Sequence, residues 1–220
     1  MASPRVYRAE GHQMTAAASG SQDWWSEQLG PRLQELREGH RHARASHEKI
    51  VRVLTVKIAE TTADSVKHEL RVMALIATLV YELKTLILRL IEAPADRVIW
   101  HKYLALALWQ VLDELPRQLG PGLKAEAKVF RESVRELRKD RAFMDELGVI
   151  RNSVAAHLSQ PSEVPGLVEW SIDSIVSQAP ETHVMNTQLV VYALIASAAV
   201  HELGSSILRR YPEVFPGAKT

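Results

Sequence analysis

Residues 64–94 read DSVKHELRVMALIATLVYELKTLILRLIEAP, and their periodicity decides the fold class. Val66, Leu70, Met73, Ala77, Val80, Leu83, Ile87 and Leu90 recur in steps of three and four. Side chains spaced that way lie above one another on a single helix face, so the stretch predicts an amphipathic α-helix of about seven turns. Asp64 precedes the stripe and is the expected N-cap. Pro94 cannot continue a helix and is expected to close it.

The flanking sequence has the same character. Upstream, Gly30-Pro31 opens a charged helix expected to run to about Glu60. Downstream, a second apolar helix is expected from about Ala95 to Glu114, ended by Pro116 and the turn Leu119-Gly120-Pro121-Gly122. Ala127, Phe130, Val134 and Leu137 mark a further helix, and Phe143, Leu147, Ile150, Val154 and Leu158 continue it or begin the next. Gln160-Pro161-Ser162 breaks the pattern, residues 166–177 predict a short helix, and Ala179-Pro180 breaks it again. Thr187 to Arg210 predicts a last long helix, on which Ala193, Ala196, Ala198 and Ala199 permit close helix approach. Those alanines suit the monomer core first and a dimer seam second. No stretch alternates with the strand period, and no repeat is visible. The expectation is an all-α bundle of six to seven helices. Residues 21–211 would form one helical domain, between a mobile arm (1–20) and a loose tail (212–220).

Composition narrows the function classes. The chain has 220 residues, 27 Lys+Arg against 26 Asp+Glu, and no cysteine. Absent cysteine removes disulfide scaffolds, zinc ribbons and thiolate nucleophiles. A net charge of +1 gives no global attraction to nucleic acid, so such binding must use local patches. The N-terminal stretch lacks the apolar run of a secretory signal. Val184 to Val200 is uncharged but only 17 residues long, short of the roughly 20 needed to span a bilayer. The cytoplasm is therefore the expected compartment, with no membrane partner.

The nine histidines do not have metal-site spacing. His47-Glu48, His68-Glu69 and His201-Glu202 each lack the second histidine four residues on, where Val51, Val72 and Ser205 stand. No Glu is followed by His three residues later, as a carboxylate-bridged di-iron bundle needs. His40 and His47 share a helix face, read as a solvated polar one with no third ligand. No metal and no cofactor is expected. Walker and dinucleotide-binding glycine motifs are absent, as is Gly-x-Ser-x-Gly. Residues 32–60 carry seven Lys/Arg against four acids, a mildly basic face read as solvated before it is read as phosphate-contacting. Residues 131–141 read as an exposed charged face, with Glu132–Arg135 and Glu136–Lys139 as favourable pairs.

One constellation remains, in Leu147-Gly-Val-Ile-Arg-Asn-Ser-Val-Ala-Ala-His-Leu158. Arg151 and His157 lie three residues either side of Val154, so each flanks that stripe by about 60°. Both are therefore expected at the edge of the buried face, about 9 Å apart along the axis. A histidine titrates near neutrality and can move a proton to or from a ribose 2′-hydroxyl. A guanidinium can hold a phosphate and offset charge in the transition state. Asn152 can orient either through its amide. Two such helices about a two-fold axis would supply one histidine as base and one as acid. Alternatively, His157 serves as a cation at a helix C-terminus.

Arg151-Asn152, four residues, then His157 resembles the Arg-x(4–6)-His motif of the HEPN superfamily (higher eukaryotes and prokaryotes nucleotide-binding), in which Asn directly after Arg is the favoured variant. Asp145-Glu146-Leu147 before the motif and Ala155-Ala156-His157-Leu158 at its end are similar to HEPN proteins of toxin and abortive-infection type. The resemblance implies an up-and-down helical bundle, usually a homodimer, acting as a metal-independent endoribonuclease. Arg151 and His157 would be catalytic and Asn152 supporting; RNA would be the substrate and a cognate antitoxin protein a partner. Ser159 stands where modified HEPN toxins carry a tyrosine, so control by AMP transfer at that position is not implied. Two other readings stand beside it: a HEPN-like module that binds RNA, nucleotide or a partner without cleaving, and a helical interaction protein in which Arg151 and His157 only satisfy the core edge.

Overall fold

The stripe of residues 64–94 becomes the central helix of an all-α bundle. The computed structural model describes residues 30–93, 97–159, 182–212 and 214, with 97, 98, 153–159 and 182–187 as backbone alone. The expected arm (1–20), the short helix at 166–177 and most of the expected tail lie outside these residues. Among them are seven helices and no strand. A 3-10 turn at Gly30–Arg32 leads into α1, Leu33–Glu60, which is followed by α2, Asp64–Glu92. Helix α3 starts as Arg97–Trp109, passes through a π turn at Gln110–Glu114 and ends in Leu115–Gln118. After a 3-10 turn at Pro121–Leu123 come α4, Lys124–Ser133, and α5, Arg135–Lys139. Helices α6, Arg141–Ser159, and α7, Thr182–Leu208, complete the order.

Helix α2 packs against α1, α3 and α7. Three partners explain why its buried set is wider than one stripe. Leu70, Met73, Leu83, Ile87 and Leu90 are buried as expected, and Val72, Ile76 and Leu79 join them. Each fully buried aliphatic side chain of this kind contributes about 1.5–3 kcal/mol relative to exposure. Helix α2 begins differently from the expectation. Ala63 is the N-cap residue, with extended backbone, and its carbonyl already accepts the Lys67 N–H at 3.0 Å. Asp64 is the first helical residue and makes no side-chain cap bond, so its carboxylate acts through the helix dipole.

Pro116 does not end α3. A proline inside a helix lacks an N–H and its ring collides with the carbonyl four residues back. Here the Leu115 N–H reaches back five residues, to the Gln110 carbonyl. This widened turn relieves the collision and lets the helix run on to Gln118.

The charged run 131–141 is not one exposed face either. It breaks at Val134 and again at Asp140. Glu132–Arg135 and Glu136–Lys139 do pair, at 3.2 and 3.0 Å. Asp140 instead turns inward: it caps α6 by accepting the Phe143 N–H at 3.1 Å, and also accepts from Gln188 Nε2 and Tyr192 Oη on α7. The Gln188 amide favours the Tyr192 phenolate, but burial and the Asp140 carboxylate outweigh it and push the phenol up, so the hydroxyl keeps the proton it donates. Asp140→Ala removes a cap and orphans two donors; a stability loss of about 2 kcal/mol is expected in urea unfolding, with Asp140→Asn, which still caps, nearer 1. Equal stability of the two variants would show that the cap, which Asn retains, carries nothing.

Helix α7 buries Ala193, Ala196 and Ala199 in the core and leaves Ala198 exposed. The helix begins at Thr182, earlier than the expected Thr187. Its segment Gln188–Leu208 has 21 residues and mean hydropathy 1.4, long and apolar enough to cross a membrane by length and composition. The window 184–200 understated that length. In the fold one side of this segment packs on α2, α3 and α4, while Val191, Ile195 and Ala198 are exposed on the other.

Beyond α7 the chain is clasped to the start of α2. Glu69 is buried and accepts a hydrogen bond from Tyr211 Oη. Arg210 lies 3.4 Å from Glu69 and 3.6 Å from Glu126, and donates to the Gly122 carbonyl at 2.7 Å. A Cβ on Gly122 would come 2.0 Å from the Glu69 carboxylate, so only glycine fits without moving the acid.

Candidate functional site

Helix α6 packs on α3, with Phe143 and Leu147 buried, and Phe143 meets the Tyr192 ring of α7 edge-on at 4.7 Å. Gly148 faces Trp109; a Cβ there would stand 3.4 Å from the indole, an already tight contact. One turn further on, Arg151 comes over the π turn. Its Nη2 lies 4.0 Å from Glu114 Oε1, and its Nη1 donates to Asn152 Oδ1 at 3.1 Å.

This differs from the expected core edge. The Arg151 side chain is 47% exposed and that of Glu114 42%. The apolar stripe is carried by Leu147 and the half-buried Ile150, and Arg151 follows Ile150 by about 100°, toward solvent. An ion pair this long and this exposed is worth about 0–1 kcal/mol. The guanidinium has five donors and Asn152 takes one, so most of its hydrogen-bonding capacity faces outward. Asn152 is exposed as well. Helix α6 runs unbroken through His157, about 9 Å along the axis from Arg151, and the His157 side chain lies outside the described residues.

Glu114 was not among the residues singled out by spacing. Its signal was Pro116, which demands a relieved turn if the helix continues.

The other histidines do different work. His40 and His47 are not on a solvated face: both turn toward α2 and stack on Tyr81, with ring centroids 5.6 and 5.0 Å away. Seven residues separate the two along α1, about 10 Å, so Tyr81 sits between them. His40 Nε2 bonds Thr85 Oγ1 and His47 Nε2 bonds Thr78 Oγ1. The cause of the difference is the neighbour: α2 presents hydroxyls and a phenol at the matching height. Among the described residues no group of three His, Asp or Glu could hold a metal ion. Four of the seven Lys/Arg on the basic α1 stretch pair with acids: Arg37 with Glu92, Arg41 with Glu38, Arg44 with Glu48 and Lys57 with Glu60. A phosphate-binding role for that face is correspondingly weaker.

Burial, then the nearby Arg44 and Arg89, lower the His40 pKa below its ordinary 6.5 against the opposing Glu92. The folded state therefore binds this proton less readily than the unfolded chain. The stability His40 contributes is full above pH 6.5 and falls as the pH drops through 6.5 toward the lowered value. Thermal melts of the wild type and His40→Gln at pH 8 and pH 5 should converge at the lower pH; a constant gap would remove His40 from the acid response.

Comparison with known proteins adds no relative: no protein-family model, no curated protein and no solved structure matches the chain.

Proposed function

We propose that the protein is a metal-independent endoribonuclease of HEPN type, working as a homodimer and serving as a toxin or phage-defence component with a cognate antitoxin. The observation that carries this reading is the presentation of Arg151. It stands exposed beside Asn152, weakly tethered to Glu114, on a helix that continues through His157. A purely structural arginine would be spent on its own chain's carbonyls or carboxylates; this one keeps donors for a phosphate.

In the proposed reaction His157 takes the proton of a ribose 2′-hydroxyl. The 2′-oxygen attacks the adjacent phosphorus, and Arg151 offsets the charge on the phosphorane. The bond from phosphorus to the 5′-oxygen breaks as the His157 of a second copy returns a proton to that oxygen. The products are a 2′,3′-cyclic phosphate and a 5′-hydroxyl. Asn152 steadies the guanidinium, and Glu114 holds it near the helix surface until phosphate displaces it.

The test is incubation of the full chain with RNA in excess EDTA, with end-group analysis of the products and light scattering for the dimer. Salt-sensitive RNA binding without any product would instead favour the non-cleaving module, which the proximity of Glu114 to Arg151 also suits.

A further inference from the structure

Helices α1 and α7 both lie along α2, and a groove opens between them. It contains two cavities of about 180 and 300 Å³. Lys84 from α2 and His201 from α7 line both cavities, so they form the waist between two lobes. Small residues make the space: Gly39 and Ala43 on α1, Ala77 on α2, Ala198 and Gly204 on α7. Gly204 lets α7 approach closely, since a Cβ there would come 2.9 Å from Ile76. The lysine head lies beside Gly39, where a Cβ would stand at an ordinary 4.0 Å from Lys84 Nζ.

Lys84 has no hydrogen bond or ion pair among the described residues, although it is half-buried. Burial lowers its pKa, the response of an ammonium with neither full hydration nor an anion. Among the described residues the groove has one lining acid, Glu35, in the larger lobe. The smaller lobe has none, and Ile50, Met73, Ile76, Val80 and Leu208 make its floor and end. Of the histidines around it, His42 is engaged with the Glu38 carbonyl and His47 with Thr78, which leaves His201 beside the lysine.

We propose that this groove binds an amphipathic carboxylate, its carboxylate on Lys84 and His201 and its aromatic ring or short aliphatic chain in the smaller lobe. Charge decides the head: a cationic waist next to an acid-free lobe favours an anion, and a charge-assisted bond to the ammonium is about twice as strong as a neutral one. Volume suits the tail: an apolar cavity of about 150 Å³ accommodates benzene, so 180 Å³ has room for a ring or a short chain. The site is separate from Arg151 and stands whether or not the chain cleaves RNA.

The probes are octanoate, octanol and inorganic phosphate, titrated calorimetrically into the full chain, with circular dichroism confirming the fold of each variant. Octanoate should saturate with a Kd below about 1 mM, while octanol and phosphate bind at least about tenfold more weakly. Lys84→Met keeps the aliphatic stem and removes the charge; octanoate affinity should drop about tenfold or more. Ala77→Leu fills the smaller lobe and should abolish binding with Lys84 intact. No saturation in the wild type, octanol as tight as octanoate, phosphate as tight as octanoate, or octanoate binding unmoved by either variant each overturns the assignment.

Discussion

His157→Ala is expected to lower the rate of RNA cleavage by about 10²–10⁴-fold, the span over which a positioned acid–base group contributes. Binding of RNA should change little, because an imidazole that moves a proton acts in the transition state and not on the ground-state phosphate. Arg151→Ala should cost about 10²–10³-fold through lost charge stabilisation, and should weaken RNA binding as well. Arg151→Lys keeps the charge without the planar fork, and only part of the rate should return. Glu114→Gln is the informative neighbour. Removing the carboxylate 4.0 Å from Arg151 frees the guanidinium, so RNA should bind somewhat more tightly with products unchanged. The readout is single-turnover cleavage in EDTA across this series. Activity that survives His157→Ala, or that EDTA removes, ends the proposed mechanism.

Glu69→Ala is expected to cost about 3 kcal/mol of folding stability. The acid is buried, and its removal opens a cavity and takes one acceptor from Tyr211 Oη and one carboxylate from Arg210, which keeps the Gly122 carbonyl and Glu126. For a chain of this size that lowers the melting midpoint by about 6–12 °C. Tyr211→Phe removes the hydroxyl's bond to Glu69 and leaves the Arg210 pair, so about 1 kcal/mol is expected. Gly122→Ala probes the same clasp from the other side. Its new Cβ collides with the Glu69 carboxylate, and the acid must leave its partners, whereas Gly30→Ala meets nothing within 4 Å and serves as the neutral control. Differential scanning calorimetry compares the four; equal midpoints for Gly122→Ala and Gly30→Ala would show that the clasp gives way at no cost.

The all-α bundle could be read from residues 64–94 because an unbroken stripe of period near 3.5 has no other stable use. Widening of that stripe at Val72, Ile76 and Leu79 could not, since it depends on how many helices surround α2. Pro116 and Asp140 misled for one shared reason. Each is ordinarily a surface or boundary residue, and tertiary packing gave each an interior role, through a widened turn in one case and the Gln188 and Tyr192 donors in the other. His40 and His47 were placed correctly on one face, but whether that face met water or Tyr81 depended on residues 30 to 45 positions away. At the candidate site, Arg151 and Asn152 come together as their adjacency implies, while Glu114 enters from another helix and has no counterpart in local spacing.

The π turn at Gln110–Glu114 amounts to one residue more than an α-helix would use to cover the same rise. Deleting one residue there would restore a regular helix and leave the residues on either side in register, because the π turn absorbs the extra residue within one turn. The Pro116 ring would then press on a carbonyl it now avoids. The passage of α3 through Pro116 thus hangs on a single inserted amino acid. A deletion scan along α3 would find 110–114 to be where chain length, more than side-chain identity, governs stability.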